Sequence, residues 1–437
     1  MPTMRAYTFP VVFLLLCLQA NGQSQLLTLP EAIQVAIQNN FEVVIARNDA
    51  SISKINNNWG AAGLLPVAVA NANKTLATNN ITQELVNGTT IKREGASVNN
   101  FNAGLAVSWR FFDGMRMFAT KRRLEELEKT GELSFRNRVN QTAFTVITSY
   151  LELIRLKQQA TAVKEVIRLY EERLQIAEYR FQNGMGNKPD VLQAKVDLNE
   201  QQAMLMAAEN EIRIGKTQLN ALLARNPSIQ FETTDTFPVR PSLNIDQLQQ
   251  RMLQQHPEVL MAASQLAILM ETKREINAQR LPAATLSGNY NFIRNRSAAG
   301  FTLLNQTFGP AGSLGISIPI FNGLVVKQQL KAADLQIRNQ QVAADQLKNQ
   351  LLSNLTAAYL SYNNAQRLVE LENSNLAIVQ ENNTINLERF RLAAITAIEF
   401  RQGQVNYSAA YTRLINARFQ ASMSAAQLLL LAGSITE

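Results

Sequence analysis

The chain has 437 residues, enough for two or three ordinary domains or one large elongated one. Its hydrophobic content is 46%, and its 19 Gly and 12 Pro are gathered into a few short zones, so a sizeable core and long uninterrupted helices are expected. The formal charge of +8 does not point to nucleic acid, because Lys and Arg alternate with Glu in stretches such as "KRRLEELEK" (121–129), the pattern of a solvated helix face.

Residues 1–22 read as a signal peptide. Arg5 supplies the positive start, Phe9 to Leu18 form an apolar run too short to span a bilayer, and Ala20 and Gly22 put small residues where a signal peptidase reads. Cleavage is expected before Gln23, leaving an exported chain of charge +7 (+8 less Arg5). Cys17, the one Cys, leaves with that segment, so no disulfide or thiolate metal site is expected; "LLLC" also faintly resembles a lipobox, and lipidation at Cys17 is the alternative. No later stretch is apolar enough for a transmembrane helix, so any membrane passage must use strands.

The mature chain is a tandem repeat, 23–224 and 243–437, joined by a Pro-containing linker at 225–242 that reads as an irregular connector. A shift of 216 residues sets Leu27 on Leu243, Glu42-Val43 on Glu258-Val259 and Leu65-Pro66 on Leu281-Pro282. From Ser108 onward the shift is 209: Phe112 meets Phe321, Gly114 meets Gly323, Arg180-Phe181 meets Arg389-Phe390, and Asp190 meets Glu399. Each repeat opens with a capping signal, Thr28 before Glu31 and Asn244 before Gln247, and a helix of about thirty residues is expected to run from each to the Leu-Pro pair. Period-two alternation then predicts two strands per repeat, near 65–78 and 101–112 and near 282–294 and 311–321, joined by polar loops near 79–100 and 295–310. "RFFDGM" and "PIFNGL" mark the two strand-to-helix junctions: Asp113 and Asn322 can cap the helix start, and Gly114 and Gly323 permit a turn that a Cβ would crowd. Helical hairpins come next, at 113–224 and 322–433, with tips near 183–189 and 392–397 and a coiled-coil period of 3.5 residues along the first returning arm. The fold class is mainly α with a membrane β-barrel contribution.

No catalytic constellation is present: there is no Cys nucleophile, no GxSxG, no P-loop and no cluster of metal ligands. His256, the one His, reads as a partly exposed helical residue, and the Met residues read as packing. No enzymatic activity, cofactor or metal is expected. Asp190 and Glu399 stand at equivalent positions where each returning helix starts; a favourable charge near the positive helix end explains them, and so does a charged constriction at the hairpin tips. At 100° per residue, Gln402, Asn406 and Arg413 fall within about 60° of Glu399, whereas Arg401 lies about 200° away.

The signal peptide, the duplicated helix–strand–strand–hairpin order, the two junctions and "FQNGMGNKPDVLQA" (181–194) together resemble the TolC-like outer-membrane efflux family along nearly the whole mature chain. The resemblance implies a homotrimer, four strands per chain in one twelve-stranded barrel in outer-membrane lipid, and a long periplasmic helical tunnel. The tunnel would dock onto a periplasmic adaptor joined to an inner-membrane pump. The resemblance also implies a periplasmic gate at Asp190, Glu399, Gln402 and Phe390, and adaptor-docking tips at Gly184, Met185, Gly186, Ala393 and Ala394. The chain departs from the family's gate at three positions: Phe390 stands for a Tyr, Ile395 for a basic residue, and Gln402 for one of two acids. A periplasmic adaptor with helical hairpins and a structural or adhesive outer-membrane protein are the alternative readings. The cargo is not written in the sequence.

Overall fold

A computed structural model describes residues 25–238, 243–298 and 302–435; the signal peptide, Cys17 and the end of the linker at 239–242 lie outside the described residues. The first half runs β1 (Gln25–Leu26), α1 (Leu29–Asn39), α2 (Phe41–Asn56), β2 (Val67–Glu84), β3 (Thr90–Phe112), α3 (Arg116–Gln182) and α4 (Lys188–Leu222). After β4 (Phe231–Glu232) the order recurs as α5 (Ile245–Gln255), α6 (Pro257–Ala278), β5 (Ala283–Ser297), β6 (Leu304–Ser317), α7 (Val325–Arg391) and α8 (Ala397–Ala432).

The single opening helix expected in each repeat is two helices, and each break has a local cause. Asn40 leaves the helical region (ψ 131°) and its side chain accepts from the N–H groups of Glu42 and Val43. Its counterpart, His256, precedes Pro257, which disfavours a helical residue before it. His256 is therefore a cap: it is buried, its Nδ1 accepts from the Glu258 N–H at 3.3 Å, and burial holds its pKa below the ordinary 6.5, keeping the ring neutral as an acceptor must be. The linker also differs from the irregular connector expected. Within it, β4 pairs in parallel with β1, and Phe231 is fully buried in the core around Tyr150, Ile154 and Leu219.

Four strands form one antiparallel sheet in the order β2-β3-β5-β6, leaving β2 and β6 as edges. The expected loop at 79–100 is mostly strand: β2 and β3 run on together as a polar ladder to a turn where the Leu85 N–H donates to the Thr89 carbonyl. The loop at 295–310 shrinks likewise, since β6 begins at Leu304. β6 also stops at Ser317 rather than 321, just short of Pro319, which lacks the N–H a ladder needs. Paired residues share a face, and the two faces differ in kind. One carries Leu105 and Tyr290, then Phe292 and Phe308; the other carries Asn71, Gly104, Asn291 and Gly309, then Asn73, Asn102, Ile293 and Thr307.

Both long arms, α3 and α7, have 67 residues, roughly 100 Å at 1.5 Å per residue. They begin three residues after Asp113 and Asn322, because the turn takes two successive left-handed residues: Gly114 (φ 70°) with Met115 (φ 70°), and Gly323 (φ 64°) with Leu324 (φ 66°). The Asp113 carboxylate still caps α3, accepting from the Met117 N–H at 3.0 Å. The two glycines are not equivalent. A Cβ on Gly114 would sit 2.6 Å from Leu281 Cβ and 2.7 Å from the Ala278 carbonyl, whereas one on Gly323 meets nothing within 4 Å. Gly323→Ala is expected to cost only the left-handed strain, about 1–2 kcal/mol. Gly114→Ala adds overpacking, for a total of about 2–5 kcal/mol. Thermal unfolding of the two variants checks this, and equal losses would count against it.

Candidate functional site

The two hairpin tips lie side by side. The first turns through Gly184 (φ 73°), whose missing Cβ faces open space; the second turns through Ala393 (φ 60°), which holds the same left-handed conformation with a side chain. Gly186 is packed, since a Cβ there would lie 3.1 Å from Arg180 Cβ. A groove of about 510 Å³ separates the tips, with Tyr179, Arg180 and Met185 on one wall and Arg391, Leu392 and Ala393 on the other. Met185, Leu392 and Ile398 are 66%, 79% and 80% exposed, so the tips are apolar as well as small. Leu392 and Ile398 were missed by a reading that looked for small residues.

Phe390 is buried and stacks on Phe400 at 4.9 Å, and the two pack with Ile395. The Arg180 guanidinium lies 4.7 Å from the Phe390 ring centre. Where the family resemblance calls for a hydroxyl and a base, this chain has an apolar plug.

Asp190 and Glu399 do not come together with Phe390 in one polar cluster. Each is the third residue of its helix. Asp190 donates its N–H to the Asn187 cap. The exposed Glu399 carboxylate closes a capping box, accepting from the Thr396 N–H at 2.8 Å and its hydroxyl at 3.0 Å. The Thr396 backbone and side-chain hydrogen bonds hold the Glu399 pKa below the ordinary 4.5. Gln402 donates to Asn406 at 3.0 Å, and with Glu399 both are exposed, so the stripe found by helical spacing is open along α8.

The same stripe on α4 is closed. Gln193 and Asp197 stand 209 residues before Gln402 and Asn406, and Gln193 donates to Asp197 at 2.8 Å. Here the carboxylate is 2% exposed and takes two arginines: Arg173 of α3, itself buried, at 2.8 Å, and Arg401 of α8 at 3.1 Å. Arg401, on the opposite side of α8 from the Glu399 stripe, thus binds the other hairpin. Two further links join the hairpins: the ion pair between Arg391 of α7 and Glu172 of α3, and the buried Gln404 amide donating to the Leu169 carbonyl at 3.0 Å. None of these links was read from the sequence, although the Gln-x-x-x-Asp and Gln-x-x-x-Asn copies were visible in it.

Among the described residues no group of three or more His, Cys, Asp or Glu is placed to hold a metal, and no helix is long and apolar enough to cross a membrane.

Residues 32–225 match the family model for outer membrane efflux proteins. The chain is 23% identical over 360 residues to the toxin and drug export protein A of Aggregatibacter actinomycetemcomitans, covering 78% of this chain and 71% of that one. It is 19% identical over 335 residues to the outer membrane efflux protein BepC of Brucella suis, covering 76% and 72%. Its fold matches the outer-membrane channel OprN with a TM-score of 0.77 at 15% identity, over 93% of this chain and 90% of that one. The chain is similar to the outer membrane efflux proteins over residues 32–225, and its fold is that of the outer-membrane channels. The likeness is to proteins of outer-membrane efflux. It also gives the two faces of the sheet a meaning, since a membrane barrel turns its apolar face to lipid and its polar face to the bore.

Proposed function

We propose that three copies of the chain form the exit duct of a tripartite efflux or type I secretion system, crossing the outer membrane as a barrel and the periplasm as a helical tunnel. The observation that carries this is the four-stranded sheet with both edges unpaired, one face apolar and the other lined by amides and hydroxyls. An open sheet edge is not tolerated in lipid, and three copies of four strands close a twelve-stranded cylinder wide enough for water. The helices also call for neighbours: Leu371, Ile378 and Ile385 recur every seven residues on α7, with Leu392 at the next step just past its end, all more than half exposed. The tips dock onto a periplasmic adaptor coupled to an inner-membrane pump. Energy comes from the pump, and the chain acts as a conduit without chemistry of its own.

The bore of the barrel carries no fixed charge from the level of Val67 and Ser108 to that of Asn79 and Ala96. Arg110 follows Ser108 on that face, at the helix end of the barrel; in this reading the narrower tips set ion preference, with the α8 stripe facing the lumen and three copies putting three Glu399 carboxylates around the entrance. Such a ring favours cations, and the net positive charge of the rest is screened beyond about 10 Å. Because the Glu399 pKa is depressed, its charge is present above the ordinary glutamate value and is lost only as pH falls below it. Reversal potentials in a planar bilayer under a salt gradient are expected to show cation preference that persists at pH 4.5 and fades at lower pH, and Glu399→Gln is expected to abolish it. An unchanged potential in the variant would leave Glu399 a helix cap and nothing more.

A further inference from the structure

We propose that the rim of the barrel farthest from the helices is a binding surface for the phosphate groups of an anionic glycolipid in the outer leaflet. The inference rests on the membrane placement above and adds to it a lipid partner of stated chemistry.

The register places Lys74, Phe101, Arg294 and Gln306 at one level, with Leu76, Asn99, Arg296 and Leu304 at the next. All these residues lie on the apolar face. Below them that face is uncharged: Ala72, Ala103, Phe292 and Phe308, then Ala70, Leu105, Tyr290 and Pro310. From Phe101 down to Trp109 it spans roughly 20 Å, given ~3.3 Å rise and ~40° tilt, close to the ~25 Å apolar band of membrane barrels. The cations of this face therefore stand at one border of the lipid core and not at the other.

Among the described residues no acidic side chain is paired with them. Lys74, Arg294 and Arg296 are exposed, and none is in an ion pair with a described residue. No acidic residue occurs in 67–79, 96–112, 283–297 or 304–317. Lys74 and Arg294 flank Phe101 on adjacent strands, and Phe101 meets Phe292 edge-on at 6.1 Å. An aromatic shelf with bare cations above it fits a molecule whose acyl chains lie against the rings and whose phosphates meet guanidinium groups, which bind phosphate in a bidentate manner. The hairpin turns lie at the sheet end away from the helices, so in the proposed orientation this rim faces the cell exterior.

The test uses the purified full-length protein with phosphatidylcholine vesicles, plain or containing lipid A or dephosphorylated lipid A. Insertion into plain vesicles is scored first by protease protection. Bound lipid is then counted by native mass spectrometry for the wild type, the triple variant Lys74→Gln/Arg294→Gln/Arg296→Gln and the three single variants. The wild type is expected to retain lipid A over its dephosphorylated form by about tenfold or more, given the affinity of juxtamembrane cations for anionic lipid. Each single variant should bind less, the triple variant should show no preference, and free inorganic phosphate should not displace the lipid. Insertion with equal retention of the two lipids, or an undiminished preference in the single variants, overturns this proposal alone. Displacement by free phosphate would also overturn it, reducing the site to one for a small anion. Failure to insert in any vesicle overturns the membrane placement as well.

Discussion

Asp197→Ala is expected to lose about 3–5 kcal/mol of stability, the cost of stranding one partner of a buried ion pair. Arg173 is 3% exposed at its side chain and Asp197 is its acidic partner, so removing the carboxylate leaves a guanidinium with neither water nor a counter-charge. Arg401→Ala should behave differently. Arg401 is 47% exposed, so its loss costs at most about 1 kcal/mol. It does, however, free α8 from the first hairpin, and the tunnel entrance should conduct more. Asn406→Ala is the internal control, because Asn406 is the repeat copy of Asp197 and is exposed; its effect should stay within about 0.5 kcal/mol. Urea unfolding of the detergent-solubilised protein, with single-channel conductance for Arg401→Ala, checks all three. A loss below about 1 kcal/mol for Asp197→Ala would mean that water reaches Arg173 and that the network is not a buried latch.

Met185→Glu with Leu392→Glu is expected to abolish export while leaving assembly and membrane insertion intact. Both side chains flank the groove between the tips and are mostly exposed, so the change costs the isolated protein little. In a docked complex it places two carboxylates where apolar contact was made. Each 1.4 kcal/mol of lost contact weakens docking tenfold, and burying an unpaired charge costs more than that. Bulky substitutions at Gly184 or Ala393 probe the same surface less cleanly, since both residues are left-handed and any change at Gly184 adds strain of about 1–2 kcal/mol. The measurement is export of cargo alongside crosslinking to the adaptor. Normal export by the double variant would show that the tips do not dock.

The parts of this fold that were legible in the sequence are those with a local signature. The hairpins announce themselves by a long run free of Pro, and the junctions by Phe-Asp-Gly and Phe-Asn-Gly. The far ends of β2 and β3 were not legible, because alternation marks a strand with one wet face and one dry face. Beyond Asn79 both faces are polar, so only the backbone ladder makes it a strand. The break at Asn40 is similar: one Asn inside a helical rhythm shows nothing until its side chain is seen capping Glu42 and Val43. The apolar plug of Phe390, Ile395 and Phe400 was half legible, as departures from the family's gate. The link of Asp197 to Arg401 was hidden, because it joins residues 204 positions apart (401 less 197) on different hairpins, and no periodicity encodes which helix faces which.

The central claim is that the sheet closes only by pooling strands from several copies. Sedimentation of the full-length protein in detergent tests it most directly. A single species with the mass of three chains is the expected result; a monodisperse monomer would contradict it, since one chain cannot cover the edges of β2 and β6.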